Sequence, residues 1–158
     1  KLRLPVGSPT RKVQFALLSD DGANMYVKVG QNEANGWRRI IQDDTVHPTR
    51  MGCGVEPIEV SSDQSLGVKV EYFQGPRYHI ALTLMWRPWN LDVPSFDPPD
   101  VSCGDYGNNH FWDSAYTPSR EQNAYLKLLD RGWSVVPPEV FYLDEARASL
   151  GTFNPCAQ

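Results

Sequence analysis

Val13-Gln14-Phe15-Ala16-Leu17-Leu18-Ser19-Asp20-Asp21-Gly22-Ala23-Asn24-Met25-Tyr26-Val27-Lys28-Val29 is the stretch on which the fold turns. Its first half alternates, with Val13, Phe15 and Leu17 on one face and Lys12, Gln14 and Ala16 on the other. Its second half leaves through Met25, Tyr26, Val27, Lys28 and Val29. Period-two alternation marks a strand, and two such runs flanking a short polar stretch read as two strands joined by a turn. The turn, Ser19 to Asn24, carries the adjacent carboxylates Asp20 and Asp21, and Gly22 lets the backbone reverse. Neighbouring carboxylates repel unless a cation or hydrogen-bond donors lie between them. The turn is therefore a candidate for a hard cation such as calcium, which takes oxygen ligands at about 2.3–2.6 Å. It also reads as a plain solvated hairpin turn, because Asp and Gly dominate turns.

Outward from this stretch, composition narrows the class. A chain of 158 residues, 41% apolar and 22% charged, is sized for one globular domain spanning residues 1–158. The net charge is −4 and no basic run exceeds Trp37-Arg38-Arg39, so there is no nucleic-acid footprint. No apolar run approaches the roughly 20 residues of a membrane span. Lys1 in place of Met reads as the start of a mature or excised piece of a longer protein. Cys53, Cys103 and Cys156 form no close pair of the kind zinc motifs use. They allow one disulfide with one cysteine left over, or three free thiols; if one pair forms, Cys53–Cys103 is preferred, because Cys156 sits in the tail. Thirteen prolines, five tryptophans and seven tyrosines with only one good helix signal point to an all-β module of extracellular type.

Further along, short strands are expected over Gly36 to Ile41 and Glu56 to Ser61, with a loop from Asp43 to Gly54 between them. The clearest β signal is Leu66 to Phe73 followed by Tyr78 to Trp86, a long hairpin around Gln74, Gly75, Pro76 and Arg77. From about residue 87 to residue 133 the character changes to an insertion rich in Pro, Asp, Asn and aromatic residues. One helix is expected within it, from Pro118 to Gly132, with Ser119 as N-cap, Gln122 at the capping-box position and an apolar face of Tyr125, Leu126, Leu128 and Leu129. Val135 to Leu143 is a last extended segment broken by Pro137-Pro138.

Five segments in this order resemble the protective-antigen N-terminal domain family, the module of anthrax toxin protective antigen, yeast flocculin-type adhesins and many bacterial surface proteins and glycosidases. They are Val13 to Val27; Ile40-Ile41-Gln42-Asp43-Asp44 with His47; Gly67-Val68-Lys69-Val70-Glu71-Tyr72-Phe73-Gln74-Gly75; Ala81-Leu82-Thr83-Leu84-Met85-Trp86; and Val136-Pro137-Pro138-Glu139-Val140-Phe141-Tyr142. The resemblance implies an antiparallel, lectin-like β-sandwich carrying the loop-plus-helix insertion. It implies calcium held by the carboxylates of Asp20 and Asp21 across a cis peptide, by the Gln74 side-chain amide, and by loop carbonyls near Gly75 and Arg77. A glycan would then offer vicinal hydroxyls to the ion, with its ring held by Arg77 and Tyr78. Trp89, Asn108, Asn109 and Trp112 of the insertion are further ligand-binding candidates. The function so implied is a calcium-dependent, carbohydrate-binding adhesin module of a secreted or cell-surface protein, able to sit in an oligomeric assembly, and not an enzyme. Two departures stand out: family members begin with further strands before the point matching Lys1, and the insertion is long for the family.

Other constellations carry less. Cys103 with His110 could be a thiol and its base, but nothing around them marks a protease. Glu59 and Glu71 could pose as a glycosidase acid pair, yet both fall on polar strand faces. His47 and His79 read as surface or strand-edge residues, and Asp43-Asp44 as a solvated turn. Trp37, Trp86 and Trp133 adjoin apolar runs and read as core. The alternative function is a structural or protein-binding tip, in which the acidic turn binds no metal and the aromatic insertion packs on a partner.

Overall fold

The computed structural model describes residues 1–29, 36–75, 79–92 and 96–142. The chain is all-β with antiparallel sheets. Its strands are β1 (Arg11–Ser19), β2 (Ala23–Val29), β3 (Arg38–Ile41), β4 (Arg50–Cys53), β5 (Ile58–Val60), β6 (Leu66–Tyr72), β7 (Leu82–Pro88), β8 (Trp112–Asp113), β9 (Arg120–Glu121) and β10 (Ser134–Val135), with a helix α1 (Asn123–Asp130) and a 3₁₀ turn over Pro138–Val140. One sheet runs β10-β7-β1-β4, with β5 pairing the other half of β1; the second runs β3-β2-β6; β8 and β9 form a small ladder of their own.

The strand pairing corrects the hairpin expectation twice. β1 pairs with β4, β5 and β7, whereas β2 pairs with β3 and β6. The Asp20-Asp21-Gly22 link therefore crosses from one sheet to the other. The link from β6 to β7 crosses back, since β6 lies beside β2 and β7 beside β1. Ser19 faces Leu82 and Ala23 faces Tyr72, so both crossovers leave the sheets at the same edge. This geometry, and no local turn preference, brings residues 20–22 beside residues 73–75. Phe73 donates its N–H to the Gly22 carbonyl. A Cβ on residue 22 would lie 2.5 Å from the Asp43 carbonyl oxygen and 2.4 Å from the Phe73 ring, so only glycine fits between the crossovers.

β1 is buried on both faces, which its alternation alone does not reveal. Val13, Phe15 and Leu17 join Ala23, Met25 and Val27 of β2, Ile41, Ile58, Val60 and Leu66 in a first core. Ala16 and Leu18, on the opposite face, join Met51, Met85, Phe111, Tyr125, Leu128 and Trp133 in a second. Burying a side chain such as Leu128 or Phe111 contributes roughly 1.5–3 kcal/mol, so this second core is a substantial attachment. The insertion thus roofs the outer face of the larger sheet. Of the apolar residues expected on the helix face, Tyr125 and Leu128 are buried, while Leu126 and Leu129 are exposed.

The helix also starts later than Ser119 would place it. Residues 120–121 pair with residues 112–113, which holds the chain extended until Gln122 caps α1 without a side-chain hydrogen bond. Its end follows the sequence. Gly132 at φ +83° donates to the Leu129 carbonyl, and Trp133 donates to the Leu128 carbonyl. Those two bonds define the Schellman motif, and Trp133 and Leu128 supply its hydrophobic contact. Trp133 and the partly buried Trp86 belong to the cores as expected. Trp37 does not: it is 46% exposed. β4 falls inside the segment expected to be loop.

Cys53 at the end of β4 is bonded to Cys103 in the insertion, with 5.7 Å between their Cα atoms and 50 residues between them in sequence. A loop of that size corresponds to about 4 kcal/mol of denatured-chain entropy. Replacing both cysteines by serine is expected to lower the unfolding free energy by about 2–4 kcal/mol in guanidinium titrations. Reducing agent should do the same to the native protein and nothing to the double variant; equal stability with and without reductant would refute a stabilising role for the bond.

Candidate functional site

The crossover edge buries its charge. Asp20 is 5% exposed and Asp21 2%. The Asp20 N–H donates to the Ala81 carbonyl at 2.9 Å, and its own carbonyl accepts from the Tyr72 hydroxyl at 2.7 Å, which ties the link to both β6 and the start of β7. The peptide between Asp20 and Asp21 is trans, since the cis bonds among the described residues are Pro98–Pro99 and Thr117–Pro118. The cis link that the family resemblance implies is not present. Asp21 instead takes a positive φ of 30°, a conformation rare for a residue with a side chain.

Neither carboxylate has an ion-pair partner among the described residues; His47 and Arg50 are drawn to Asp43 instead. What the carboxylates do receive are neutral donors. Thr49 Oγ1 donates to Asp20 Oδ2 at 3.3 Å, and the His47 backbone N–H donates to Asp21 Oδ1 at 3.1 Å. The Gly75 N–H donates to Asp21 Oδ2. That oxygen sits so close to Gly75 that a Cβ there would be 2.8 Å from it. Two adjacent buried carboxylates that meet only neutral donors among the described residues form an electrostatic sink. Burial and the charges of Asp20 and Asp21 push the Tyr72 phenol above its usual range, so it stays protonated.

Gln74 closes the site from the opposite crossover. Its Nε2 lies 3.5 Å from Asp20 Oδ1, 3.3 Å from Asp21 Oδ2 and 3.1 Å from the His79 carbonyl oxygen. Its Oε1 touches the Tyr72 hydroxyl. An amide nitrogen has two hydrogens for these three acceptors, and the Tyr72 hydroxyl has one proton for two, the Asp20 carbonyl and Gln74 Oε1. With the amide turned over, Nε2 would donate to the Tyr72 hydroxyl, and the amide oxygen would join Asp20 Oδ1, Asp21 Oδ2 and the His79 carbonyl in a set of four oxygens of the kind a hard cation takes. Among the described residues no group of three or more His, Cys, Asp and Glu is arranged to hold a metal. The set here is of another kind, two carboxylates with an amide and a carbonyl, and it suits a hard cation.

A cleft of about 520 Å³ opens next to the turn, between the start of β7 and the insertion. Thr49 and His79 line it, and both also touch the acidic site. Asn108 and Trp112 line it from the insertion. Asn109 is not in the lining, but its side chain accepts from Ser114, which is. Trp89 is placed elsewhere: it packs edge-on against Phe96 while its N–H bonds the Lys12 carbonyl. Lys12 is eight residues before Asp20 on β1, about 26 Å at strand rise, so Trp89 lies at the far end of the strand. Arg77 and Tyr78 fall outside the described residues.

Several neighbouring residues depart from the sequence reading. Asp43 is buried, accepts from Thr45 and pairs with Arg50, and stands 2.9 Å from His47 Nε2 without aligning for a hydrogen bond. Asp44 is exposed, and its carboxylate accepts from the Asn24 and Gln42 amides. Cys103 is bound in the disulfide, which removes it as a thiolate nucleophile. Glu59 and Glu71 lie on strands of different sheets, and Glu71 is paired with Lys69. Tyr72, Thr49 and the backbones of His47 and His79 were not singled out by sequence; the latter three act through main-chain atoms or across long separations, for which residue type gives no signal.

No protein-family model, curated protein or solved structure matches the chain.

Proposed function

We propose that this chain is a calcium-dependent carbohydrate-binding adhesin module of lectin-like β-sandwich type, working outside the cell as part of a surface or secreted protein. The observation that carries the reading is the pair of buried carboxylates, Asp20 and Asp21, with only neutral donors on them among the described residues and the Gln74 amide and His79 carbonyl converging on the same point. Asp20, Asp21, Gln74 and the His79 carbonyl would hold the ion. Calcium takes six to eight oxygens, so such a set leaves positions for two vicinal hydroxyls of a glycan. The ion's contribution is to exchange its water for those hydroxyls and so fix the sugar at the edge of the two sheets. A core shared by strands of both sheets supports the sandwich arrangement, and the Cys53–Cys103 bond supports an oxidising compartment. No helix among the described residues is long and apolar enough to cross a membrane.

The test is a glycan array probed with the purified chain in calcium and in excess chelator. Calcium-dependent binding that Gln74→Ala abolishes, while circular dichroism stays unchanged, is the expected result. Glycan binding indifferent to chelator, or the absence of any glycan ligand, would overturn the reading and favour the protein-binding tip.

A further inference from the structure

Among the described residues β6 is an edge strand. One side of it pairs with β2 from Leu66 to Tyr72. On the other side Leu66 exchanges both backbone hydrogen bonds with Leu2, and the described residues make no further bond there. In an antiparallel strand the N–H and C=O of one residue point the same way, and the direction alternates along the chain. Those of Val68, Val70 and Tyr72 therefore face the same open edge as those of Leu66. The Phe73 N–H, bonded to the Gly22 carbonyl, keeps the opposite phase. The other edges are covered or short. Residues 104–106 of the insertion bond the outside of β4, β5 and β10 have three and two residues, and β3 has four with Arg38 and Arg39 adjacent.

An open edge is a template for pairing with another chain, and proteins blunt it with lysine, proline, bulges or short length. β6 has one of these devices, Lys69, and Glu71 two residues on counters it. Their side chains pair at 2.8 Å on the outer face, where the Lys69 ammonium also lies over the Tyr26 ring. Val68, Val70 and Tyr72 point the other way, against the first core, and each is only partly buried. This pattern is complementary to itself. Two β6 strands paired antiparallel about Val70 set Lys69 opposite the second copy's Glu71, and Glu71 opposite its Lys69. On the core side Val70 then meets Val70, and Val68 meets Tyr72. Moving the two-fold axis by one residue, onto Lys69 or onto Glu71, keeps the faces and the hydrogen-bonding phase but sets like charges directly opposite each other, which is destabilising. The charges therefore choose the register.

We infer that the open edge of β6 is a dimerisation surface whose occupant is β6 of a second copy of this chain, antiparallel and in register about Val70. The sheet β3-β2-β6 then continues through the two-fold axis into its copy. The same patch serves both partners, so the contact closes on itself as a dimer and does not propagate. Because Tyr72 leads into Gln74, the symmetry sets the two acidic sites at opposite ends of the shared ladder. A single strand pair is small beside the roughly 1,200–2,000 Å² of stable complexes, so the dimer is a weak one. The association needs neither calcium nor a glycan.

The experiment is sedimentation equilibrium of the full chain in chelator, from about 10 µM to about 1 mM, the range in which a small interface associates. The mean mass should rise toward that of a dimer and stop there. Lys69→Glu and Glu71→Lys lie on the outer face, and circular dichroism should show both variants folded. Each alone sets like charges opposite each other and should self-associate about tenfold more weakly or worse. An equimolar mixture of the two should associate again, as should the double swap Lys69→Glu/Glu71→Lys in one chain. Amide exchange followed by NMR reads the edge itself. The N–H groups of Val68, Val70 and Tyr72 should slow as concentration rises, while those of Lys69 and Glu71, which face β2, stay protected throughout. A chain that is monomeric at about 1 mM would overturn the proposal. So would single variants that dimerise as tightly as the native chain, which would put the contact on another face, or a mixture and a double swap that both fail to associate.

Discussion

Asp100→Ala is expected to destabilise the chain by about 3–5 kcal/mol, the range found when one partner of a buried ion pair is removed. Asp100 is buried and receives Arg87 Nη1 at 2.9 Å, Arg131 Nε and Nη2 at 2.8 Å each, Trp133 Nε1 at 3.1 Å and the Ser102 N–H at 2.9 Å. Arg131 is partly exposed and can turn to water. Arg87 is 2% exposed and cannot. Its Nε donates to Gln14 on β1 and its Nη2 to the Asp97 carbonyl, and its guanidinium lies on the faces of Phe96 and Trp133. Without Asp100 that charge stays buried and uncompensated, and burial already pulls the Arg87 pKa down against the pull of Asp100. The network joins β1 and β7 to both ends of the insertion, so its loss should free the insertion from the sheet. Urea titrations measure the drop; a change below about 1 kcal/mol would show that the insertion is held by its apolar core and the disulfide alone. The double variant Arg87→Met/Asp100→Leu should recover part of the loss, with a coupling energy within about 0.5–3 kcal/mol.

The same carboxylate gives the fold an acid limb. Burial pushes the Asp100 pKa up, but hydrogen bonds from Arg131, the Ser102 N–H and Trp133, with the charge of Arg131, outweigh it and hold the carboxyl below its ordinary value of 3.8. A lowered folded-state value means that the unfolded chain binds the proton first. The stabilisation is therefore present above 3.8 and is lost as pH falls below it, through the folded-state value. In Asp100→Ala this part of the acid limb should be missing.

The sequence makes strands visible but not their partners. Val13, Phe15 and Leu17 alternate, as do Val68, Val70 and Tyr72, and both runs are strands. Alternation reports which face is buried and carries no information on which strand lies alongside, so the two links at the site edge look like hairpins when they are crossovers. β4, Arg50-Met51-Gly52-Cys53, has no alternation to see; it is a strand because Leu17 and Leu18 pair with Gly52 and Met51. Asp43 looks like a solvated turn residue because its partners, His47 and Arg50, meet it only in three dimensions. The site divides the same way. Asp20 and Asp21 announce themselves by adjacency, whereas Gln74 is ordinary in sequence and matters only through the second crossover. Thr49 enters by its hydroxyl, 29 residues from Asp20, and His79 by its main-chain carbonyl, neither of which a residue pattern encodes.

Calcium is expected to raise the melting temperature of the chain, and the substitutions Asp21→Ala and Gln74→Ala are expected to erase that rise. Extracellular calcium modules bind with Kd values of about 10⁻⁴–10⁻³ M. At about 10 mM calcium, 10- to 100-fold above such values, linkage gives roughly 1.4–2.7 kcal/mol of stabilisation, and for a chain of this size a shift of about 3–10 °C. Asp21→Ala also removes the acceptor for the Gly75 and His47 N–H groups, so the variant should melt lower even without the ion. The decisive quantity is accordingly the calcium-induced increment within each protein, not the melting temperature itself. Gln74→Ala serves as the second arm, because it removes an amide and leaves both carboxylates in place. Elemental analysis of protein dialysed without chelator separates an ion already bound from no ion at all. A calcium increment equal in the native chain and both variants would place any ion elsewhere. No increment and no bound ion would leave Asp20 and Asp21 as buried carboxylates satisfied by Thr49, His47, Gln74 and Gly75 alone, and the aromatic insertion would become the surface to test against a protein partner.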